Sequence, residues 1–117
     1  MAAKLQVYGL KKCSTCQKTE NWLKDHKKAY QFIDVREDGI SADQVKGWMK
    51  ALGGYEKLIN RAGYTWRGLP EAEREGLTDA KAVKLILANP SLIRRPLIEG
   101  PQGVSVGFSA KVQEGLK

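Results

Sequence analysis

The chain has little cysteine and histidine, since only 2 of its 117 residues are Cys and 1 is His. Two cysteines are too few for a small secreted fold held together mainly by disulfides. A closed zinc site usually takes four Cys or His ligands, and here a carboxylate would have to complete the set. We therefore expect no metal site, and we expect the two cysteines to serve chemistry.

Long apolar segments are also missing. The longest uninterrupted apolar runs, such as residues 85–88, span only a few residues, far below the roughly 20 that a membrane span needs. The start of the chain lacks the apolar segment of a secretory signal. These absences predict a cytoplasmic protein with no membrane association.

Acidic residues are outnumbered, with 13 Asp and Glu against 20 Lys and Arg and a net charge of +7. This balance suits acidic partners or anionic substrates. The basic residues alternate with acids along helical patterns, however, and a solvated helix face explains most of them, so we expect no direct nucleic-acid binding. A length of 117 residues with 42% hydrophobic composition predicts one domain over residues 1–117.

The first third of the chain alternates between strand and helix patterns. A short strand over 5–8 is followed by Gly9, where we expect a turn. From Ser14 the spacing is helical, with one shared face formed by Cys16, Thr19, Leu23 and His26. A second strand is predicted over 30–35. The short connection favours parallel strands joined by a right-handed crossover.

The middle of the chain, about 41–89, carries only helical patterns. Ser41 and Gln44 form a capping box before a helix that should end at Gly53. A shorter helix is expected over 55–61.

Two more helical segments complete this middle region. Pro70 is expected at the first position of a short turn that ends at Gly76. Thr78 should cap a longer helix, which Asn89 and Pro90 terminate. The middle of the chain is therefore predicted to be an all-helical insertion.

The last part of the chain predicts a β-hairpin and a helix. Residues 97–99 and 104–107 flank the loop sequence Gly-Pro-Gln-Gly, which predicts a four-residue connection. Ser109 should cap a final short helix. The order β-α-β, helical block, β-β-α predicts an α/β, thioredoxin-like fold with a four-stranded mixed sheet and a central helical insertion.

Cys13 and Cys16 are the candidate catalytic residues. Cys13 lies between a strand and a helix, where unpaired N–H groups and the helix dipole favour an anion. Nearby lysines add positive charge, and together these effects stabilise a thiolate, so Cys13 is the predicted nucleophile. The loop residues expected to bind the substrate or an anion are Lys11, Lys12, Ser14 and Thr15.

Cys16 lies one helical turn beyond Cys13, close enough to attack a mixed disulfide on it. It is the predicted resolving thiol, unless it is only a small buried helix residue. His26 is a poor candidate for a base that activates Cys13, because the helix separates the two by about 20 Å. We expect His26 at the surface or partly packed.

Arg95 and Pro96 form a second candidate feature. A peptide bond that precedes proline can be cis, and before a hairpin strand it can bring backbone groups and Pro96 close to the active thiol. The guanidinium of Arg95 offers several donors to an oxyanion. Alternatively, Arg94 and Arg95 only complement the end of the preceding helix, and the residues leave that choice open.

Four segments of the chain together resemble the ArsC/Spx family, most closely its YffB-like branch. They are "YGLKKCSTCQK" near the start, "GYTWRGLPE" at 63–71, "LILANPSLIRRPLI" at 85–98 and "VGFS" at 106–109. The resemblance covers nearly the whole chain in the right order. It implies a thioredoxin-like domain with a helical insertion.

The resemblance also implies a chemistry. In the glutaredoxin-coupled arsenate reductases of this family, a cysteine in the first loop attacks arsenate. Glutathione then resolves the adduct, and glutaredoxin regenerates the enzyme. By motif match, Cys13 corresponds to that cysteine and Arg95 to one of the arginines that bind the anion.

Other positions depart from the pattern of the arsenate reductases. Asn60 occupies the position of a further arginine, with Arg61 adjacent as a candidate, and Gly107 occupies the position of another. Cys16 is a further departure, because Spx-type regulators carry Cys-x-x-Cys as a disulfide switch whereas the reductases usually lack the second cysteine.

We therefore expect a thiol oxidoreductase without a bound cofactor, with glutathione as co-substrate. Cys13 attacks, Cys16 or glutathione resolves, and Arg95 with the basic loop holds a carboxylate or another anion. One alternative is arsenate reduction coupled to glutathione and glutaredoxin. Another is a redox-sensing transcriptional regulator that binds RNA polymerase. The branch-wide motif "TWRGL" favours the oxidoreductase.

Overall fold

The computed structural model describes residues 4–101 and 103–116. Its strands are β1 (Leu5–Gly9), β2 (Tyr30–Asp34), β3 (Leu97–Gly100) and β4 (Gly103–Val106). Its helices are α1 (Ser14–Asp25), α2 (Ala42–Leu52), α3 (Tyr55–Leu58), α4 (Tyr64–Arg67), α5 (Glu71–Arg74), α6 (Asp79–Ala88) and α7 (Ala110–Leu116), with a 3-10 turn at Pro90–Leu92. Within the described ranges, no helix has the length and apolar character needed to span a membrane.

The four strands form one mixed sheet in the order β2-β1-β3-β4. β1 and β2 are parallel, with Leu5 opposite Tyr30 and Gly9 opposite Asp34. β3 is antiparallel to both β1 and β4. The α/β class, the four-stranded mixed sheet and the central helical segment predicted from the sequence are thus confirmed. This order places the loop after β1 between the end of β2 and the start of β3.

Both faces of the sheet are covered because alternate residues of each strand point to opposite sides. On one face, Leu5 and Val7 pack with Leu23 of α1, Ile98 of β3 and Leu116 of α7. On the other face, β1 contributes Tyr8 and β3 contributes Leu97 to a larger cluster with the helical block. The fully buried members that the block supplies to this cluster include Val45, Trp48, Leu58, Ile59, Ala82 and Ile86.

Local sequence signals determine where α2 begins and ends. The Ser41 hydroxyl accepts a hydrogen bond from the Gln44 N–H, and the Gln44 side chain accepts one from the Ser41 N–H. At the other end Gly53 has φ 86°, a left-handed conformation that glycine adopts without steric cost. The predicted capping box and helix end are confirmed.

The prediction of a helix over 55–61 is wrong beyond Leu58, where α3 ends. Ile59 instead forms an isolated antiparallel bridge with Ile93. The Arg94 N–H donates to the Leu58 carbonyl and the Asn60 N–H donates to the Leu92 carbonyl, each at 2.8 Å. The backbone groups that would continue the helix are therefore used in pairing with a distant segment.

Three smaller expectations also differ from the structure. The sequence did not predict α4, which overlaps the first three residues of "TWRGL". Pro70 is the residue before α5 and not its first residue. The hairpin ladder extends to the pair Gly100 and Gly103, which leaves two residues between the strands where four were expected. Residue 102 lies outside the described residues.

Candidate active site

Cys13 lies at the start of α1, in the loop that follows β1. It is the N-cap residue, with φ −83° and ψ 120°, and its carbonyl accepts the first helical hydrogen bond, from the Gln17 N–H at 3.0 Å. Its own N–H donates to the Leu10 carbonyl at 3.0 Å, which closes the loop. The Cys13 side chain is partly exposed. A thiolate here would lie beside the unpaired N–H groups of the first helical turn.

Cys16 has a different environment, because its side chain is 0% exposed. Burial raises the pKa of the Cys16 thiol to about 12, and contact with the Cys13 side chain adds to the increase. The Leu10 backbone and the positive charge of Arg95 act in the opposite direction. Cys16 is therefore a neutral thiol at neutral pH, in contact with Cys13 and shielded from solvent.

Gly9 makes room for Cys16. A Cβ atom added to Gly9 would lie 2.4 Å from the Cys16 Sγ, a distance that real Cβ atoms essentially never show. The turn expected at Gly9 is wrong, because Gly9 belongs to β1 and pairs with Asp34. A glycine is needed at this position because the sulfur approaches the strand closely.

Arg95 and Pro96 directly precede β3, the strand that pairs antiparallel with β1. The peptide bond between them is cis. Pro96 is buried, and its carbonyl accepts a hydrogen bond from the Gly107 N–H at 2.9 Å. The positive charge of the half-buried Arg95 acts on the Cys16 thiol. The structure therefore brings Arg95 close to Cys16.

The other loop residues predicted to bind an anion are exposed. Lys11 forms an ion pair with Glu37, with 2.6 Å between Nζ and Oε2. The hydrogen bond to Glu37 and the charge of that carboxylate raise the pKa of Lys11. Lys12, Ser14 and Thr15 are exposed around Cys13. Much of the positive charge expected of Lys11 is thus offset by Glu37.

Arg61 is not joined to this group. Ile59 and Ile93 pair antiparallel, so Arg61 and Arg95, each two residues further along, lie towards opposite ends of the bridge. The Arg61 guanidinium lies 5.7 Å from the centre of the Trp66 ring. In the part of the chain that the structure describes, no hydrogen bond or ion pair links Arg61 to Cys13 or Arg95.

The two positions where arsenate reductases of the family carry further arginines have backbone roles here. The Asn60 Oδ1 accepts a hydrogen bond from the Ala62 N–H at 3.1 Å. Gly107 has φ 79°, a conformation that disfavours larger side chains. Neither residue offers a positive charge to an oxyanion.

His26 also lies apart from the cysteines. It follows the last residue of α1, is exposed, and stacks on Trp22 with 3.9 Å between ring centres. The shared face predicted from the spacing holds for Cys16, Thr19 and Leu23, which are buried, but not for His26, because the helix ends before it.

Asp34 is a residue of the site that the sequence reasoning missed. Its buried carboxylate accepts hydrogen bonds from the N–H groups of Lys11 at 3.0 Å and of Arg36 and Glu37 at 2.9 Å. Burial by itself would raise the pKa of Asp34, but these three donors outweigh it and lower that pKa. An aspartate at the end of a strand, followed by a turn, was the available signal.

Comparisons with known proteins agree with this geometry. A family model described as the ArsC family matches residues 8–115. A solved structure described as "YFFB (PA3664) protein" has a TM-score of 0.86 and 39% identity, covering 95% of this chain and 96% of that one. The structure of an arsenate reductase related protein from Brucella melitensis has a TM-score of 0.77 and 37% identity, covering 97% and 94%.

Curated relatives extend over similar lengths. An uncharacterised protein of Haemophilus influenzae is 33% identical over 107 residues, which is 92% of this chain and 93% of the relative. The global transcriptional regulator Spx of Listeria innocua is 26% identical over 104 residues, which is 88% of this chain and 79% of the relative. Because the family model matches nearly the whole length of the chain, the chain belongs to the ArsC family.

Proposed function

We propose that this chain is a thiol oxidoreductase that uses Cys13 as its nucleophile and glutathione as its reducing co-substrate. One observation carries the proposal. Cys13 is partly exposed at the N-terminus of α1, whereas the second cysteine beside it is fully buried. A substrate that arrives from solvent therefore meets one thiol, and that thiol occupies the position where an anion is stabilised.

The reaction has three thiol–disulfide exchange steps. In the first, the Cys13 thiolate attacks a disulfide, a Cys13–substrate disulfide forms, and the other half of the substrate leaves as a thiolate. In the second, a glutathione thiolate attacks the Cys13 sulfur of that adduct, forms a Cys13–glutathione disulfide and releases the rest of the substrate as a thiolate. In the third, a second glutathione thiolate attacks the glutathione sulfur and releases the Cys13 thiolate, so two glutathione molecules become one oxidised glutathione.

Glutathione, and not Cys16, is the proposed resolving thiol at neutral pH. Only a thiolate attacks a disulfide at a useful rate, and burial raises the pKa of Cys16 to about 12. Contact between the two side chains still permits a Cys13–Cys16 disulfide under strongly oxidising or alkaline conditions. Cys16 then protects the nucleophile from further oxidation.

Arg95 is proposed to hold a negatively charged group of the substrate next to Cys13. Its charge already acts on the neighbouring Cys16 thiol, and a guanidinium binds carboxylates and oxyanions through two donors. Arsenate reduction is a weaker candidate for this chain, because Asn60 and Gly107 stand where the reductases of the family carry further arginines.

A turnover assay tests the proposal. Reduced protein is mixed with 2-hydroxyethyl disulfide, glutathione, glutathione reductase and NADPH, and NADPH consumption is followed. We expect turnover above background for the wild type, background rates for Cys13→Ser, and retained turnover at pH 7 for Cys16→Ala. Mass spectrometry of the oxidised wild type should show a glutathione adduct on Cys13. Wild-type turnover equal to that of Cys13→Ser would reject the proposal.

Parallel assays address the two alternatives. Arsenate in place of the disulfide, with glutathione and glutaredoxin present, tests arsenate reduction. Capture of RNA polymerase by the oxidised but not the reduced protein tests a regulatory role, for which the similarity to Spx is the support. We expect arsenate turnover to be slower than turnover in the disulfide assay. We also expect no stable complex with RNA polymerase.

A further inference from the structure

A groove of about 450 Å³ lies beside the Cys13 loop, on the side of β2. We call it the Asp34 groove. Its walls are the loop after β1 and the turn after β2, and it is lined by Leu10, Lys11, Lys12, Asp34, Arg36 and Glu37. It lies on the opposite side of β1 from Arg95, because β2 and β3 flank β1 on either side. The anion site at Arg95 and the Asp34 groove are therefore two separate approaches to Cys13.

Hydrogen bonds hold the two walls of the groove together. The Asp34 carboxylate accepts from the Lys11 N–H in one wall and from the Arg36 and Glu37 N–H groups in the other. The ion pair between Lys11 and Glu37 joins the same walls at the surface. The groove is thus formed before any ligand arrives, which lowers the entropic cost of binding.

The groove lies next to the backbone that carries Cys13. Leu10 lines it, and the Leu10 carbonyl accepts the Cys13 N–H at 3.0 Å. Lys12 lines it as well and precedes Cys13 in the chain. A ligand with charged groups in the groove can therefore place a sulfur atom next to Cys13.

The charges in the groove select the class of ligand. Three cationic side chains and two carboxylates line it, and in the described part of the chain neither Lys12 nor Arg36 has an ion-pair partner. An inorganic oxyanion would meet both carboxylates, which repel it. A dipolar molecule with carboxylates at its ends and an ammonium group matches both signs.

We infer that the Asp34 groove binds the charged ends of the peptide thiol co-substrate, with Lys12 and Arg36 receiving carboxylates and Glu37 facing the ammonium group. This inference rests on the proposed function and adds to it a binding site for glutathione. Arg36 is the new specificity residue, since its guanidinium presents two parallel donors to a carboxylate. The disulfide substrate then approaches Cys13 from the side of Arg95.

A kinetic comparison tests the role of Arg36. The ratio of kcat/KM for glutathione to kcat/KM for 2-mercaptoethanol is measured in the disulfide assay, because the second thiol has no charged ends. We expect Arg36→Gln to lower this ratio about tenfold and Arg36→Lys to restore part of it. Lys46→Gln, on α2 and outside the groove, is the matched control and should leave the ratio unchanged. An unchanged ratio in Arg36→Gln would overturn the inference.

A binding experiment separates this inference from the proposed function, since it needs no turnover. S-methylglutathione is titrated into the wild type, and backbone amide shifts are followed by NMR. We expect saturable shifts at Lys11, Arg36 and Glu37, weakened about tenfold in Arg36→Gln, and no such shifts with inorganic phosphate. Equal binding by Arg36→Gln, shifts confined to the neighbourhood of Arg95, or equal shifts with phosphate would each contradict the groove as the site. If the wild type has no turnover but these shifts occur, the groove stands and the proposed function fails.

Discussion

At the scale of single residues, two cysteines of identical chemistry have different properties because of where they lie. Cys13 is partly exposed at a helix N-terminus, whereas Cys16 is fully buried against β1. Burial raises the pKa of Cys16 to about 12 and keeps its sulfur away from solvent. The close approach of that sulfur to β1 requires Gly9. Because Gly9 has no side chain, β1 leaves space for the Cys16 sulfur.

We predict that Gly9→Ala destabilises the protein by about 1–3 kcal/mol, because the new Cβ overlaps the Cys16 sulfur in a packed region. The added atom would lie 2.4 Å from Sγ, but 3.5 Å from the next nearest neighbours, the Cys16 Cβ and an atom of Phe32. In a Cys16→Ala background the same change should therefore cost much less. Urea unfolding of the four proteins in this double-mutant cycle measures the difference.

Gly47→Ala is the matched control, since a Cβ there meets nothing within 4 Å and alanine favours a helix. It should stabilise the protein slightly. If Gly9→Ala lowered the free energy of unfolding equally with and without the Cys16 sulfur, contact with that sulfur would not be the reason that residue 9 must be glycine.

At the scale of elements, Asp34 ties the end of β2 to the loop that carries Cys13. One carboxylate accepts the Lys11 N–H from that loop and two N–H groups from the turn that follows β2. These bonds favour the charged form and lower the pKa of Asp34 despite its burial. The position of Cys13 therefore depends on a neighbouring strand as well as on its own helix.

We predict that Asp34→Asn lowers stability at pH 7 by about 1–3 kcal/mol, because an N–H donor loses its acceptor. The sign of the pH dependence follows from the lowered pKa. The stabilisation by the charged Asp34 carboxylate is present above the unfolded pKa of 3.8. It is lost as the pH falls through the lower pKa of the folded state. The difference between wild type and Asp34→Asn should therefore shrink below about pH 4. Urea unfolding at pH 7 and in the acid range measures it.

Asp25→Asn, which changes an exposed carboxylate at the end of α1, is the control and should show little effect at either pH. If the stability difference between wild type and Asp34→Asn stayed constant down to the lowest pH, the charge of the Asp34 carboxylate would not stabilise the fold.

At the scale of the whole molecule, one sheet separates two apolar clusters. The cluster on one face includes α1 and α7, and the cluster on the other includes the helical block. Trp22 packs at the edge of the first cluster and Trp48 is buried in the second. The Trp48 Nε1 donates to the Glu99 Oε2 at 3.0 Å, which joins α2 to the central strand β3. Loss of the sheet would therefore expose the apolar side chains of both clusters.

We predict that the two clusters unfold together. Leu23→Ala on one face and Leu58→Ala on the other, both at fully buried side chains, should each lower stability by about 2–5 kcal/mol. Denaturation curves from Trp22→Phe and Trp48→Phe variants, each also carrying Trp66→Phe so that a single and different tryptophan remains, should have coincident shapes when each is normalised to its own midpoint.

Leu87→Ala is the control for these truncations, since Leu87 is 38% exposed and should cost much less. Two separate transitions in either Leu→Ala variant, one for each cluster, would contradict a shared unfolding unit.

Local patterns in the sequence determined most of the elements. The capping box at Ser41, the cap at Thr78 and the alternation along β1 each depend on residues a few positions apart, and all three are present in the structure. The placement of Cys13 at a helix start was predictable for the same reason. The four motifs spaced along the chain indicated the family.

Tertiary structure alone decided the features that join distant segments. The end of α3 depends on pairing between Ile59 and Ile93, the need for Gly9 depends on the position of the Cys16 sulfur, and Asp34 reaches a loop more than twenty residues away in the chain. No local pattern encodes such contacts, because hydrogen bonds and packing between distant segments exist only once the sheet has brought them together. The sequence by itself thus determined the family and the position of Cys13 at a helix start, and the fold decided what surrounds Cys13.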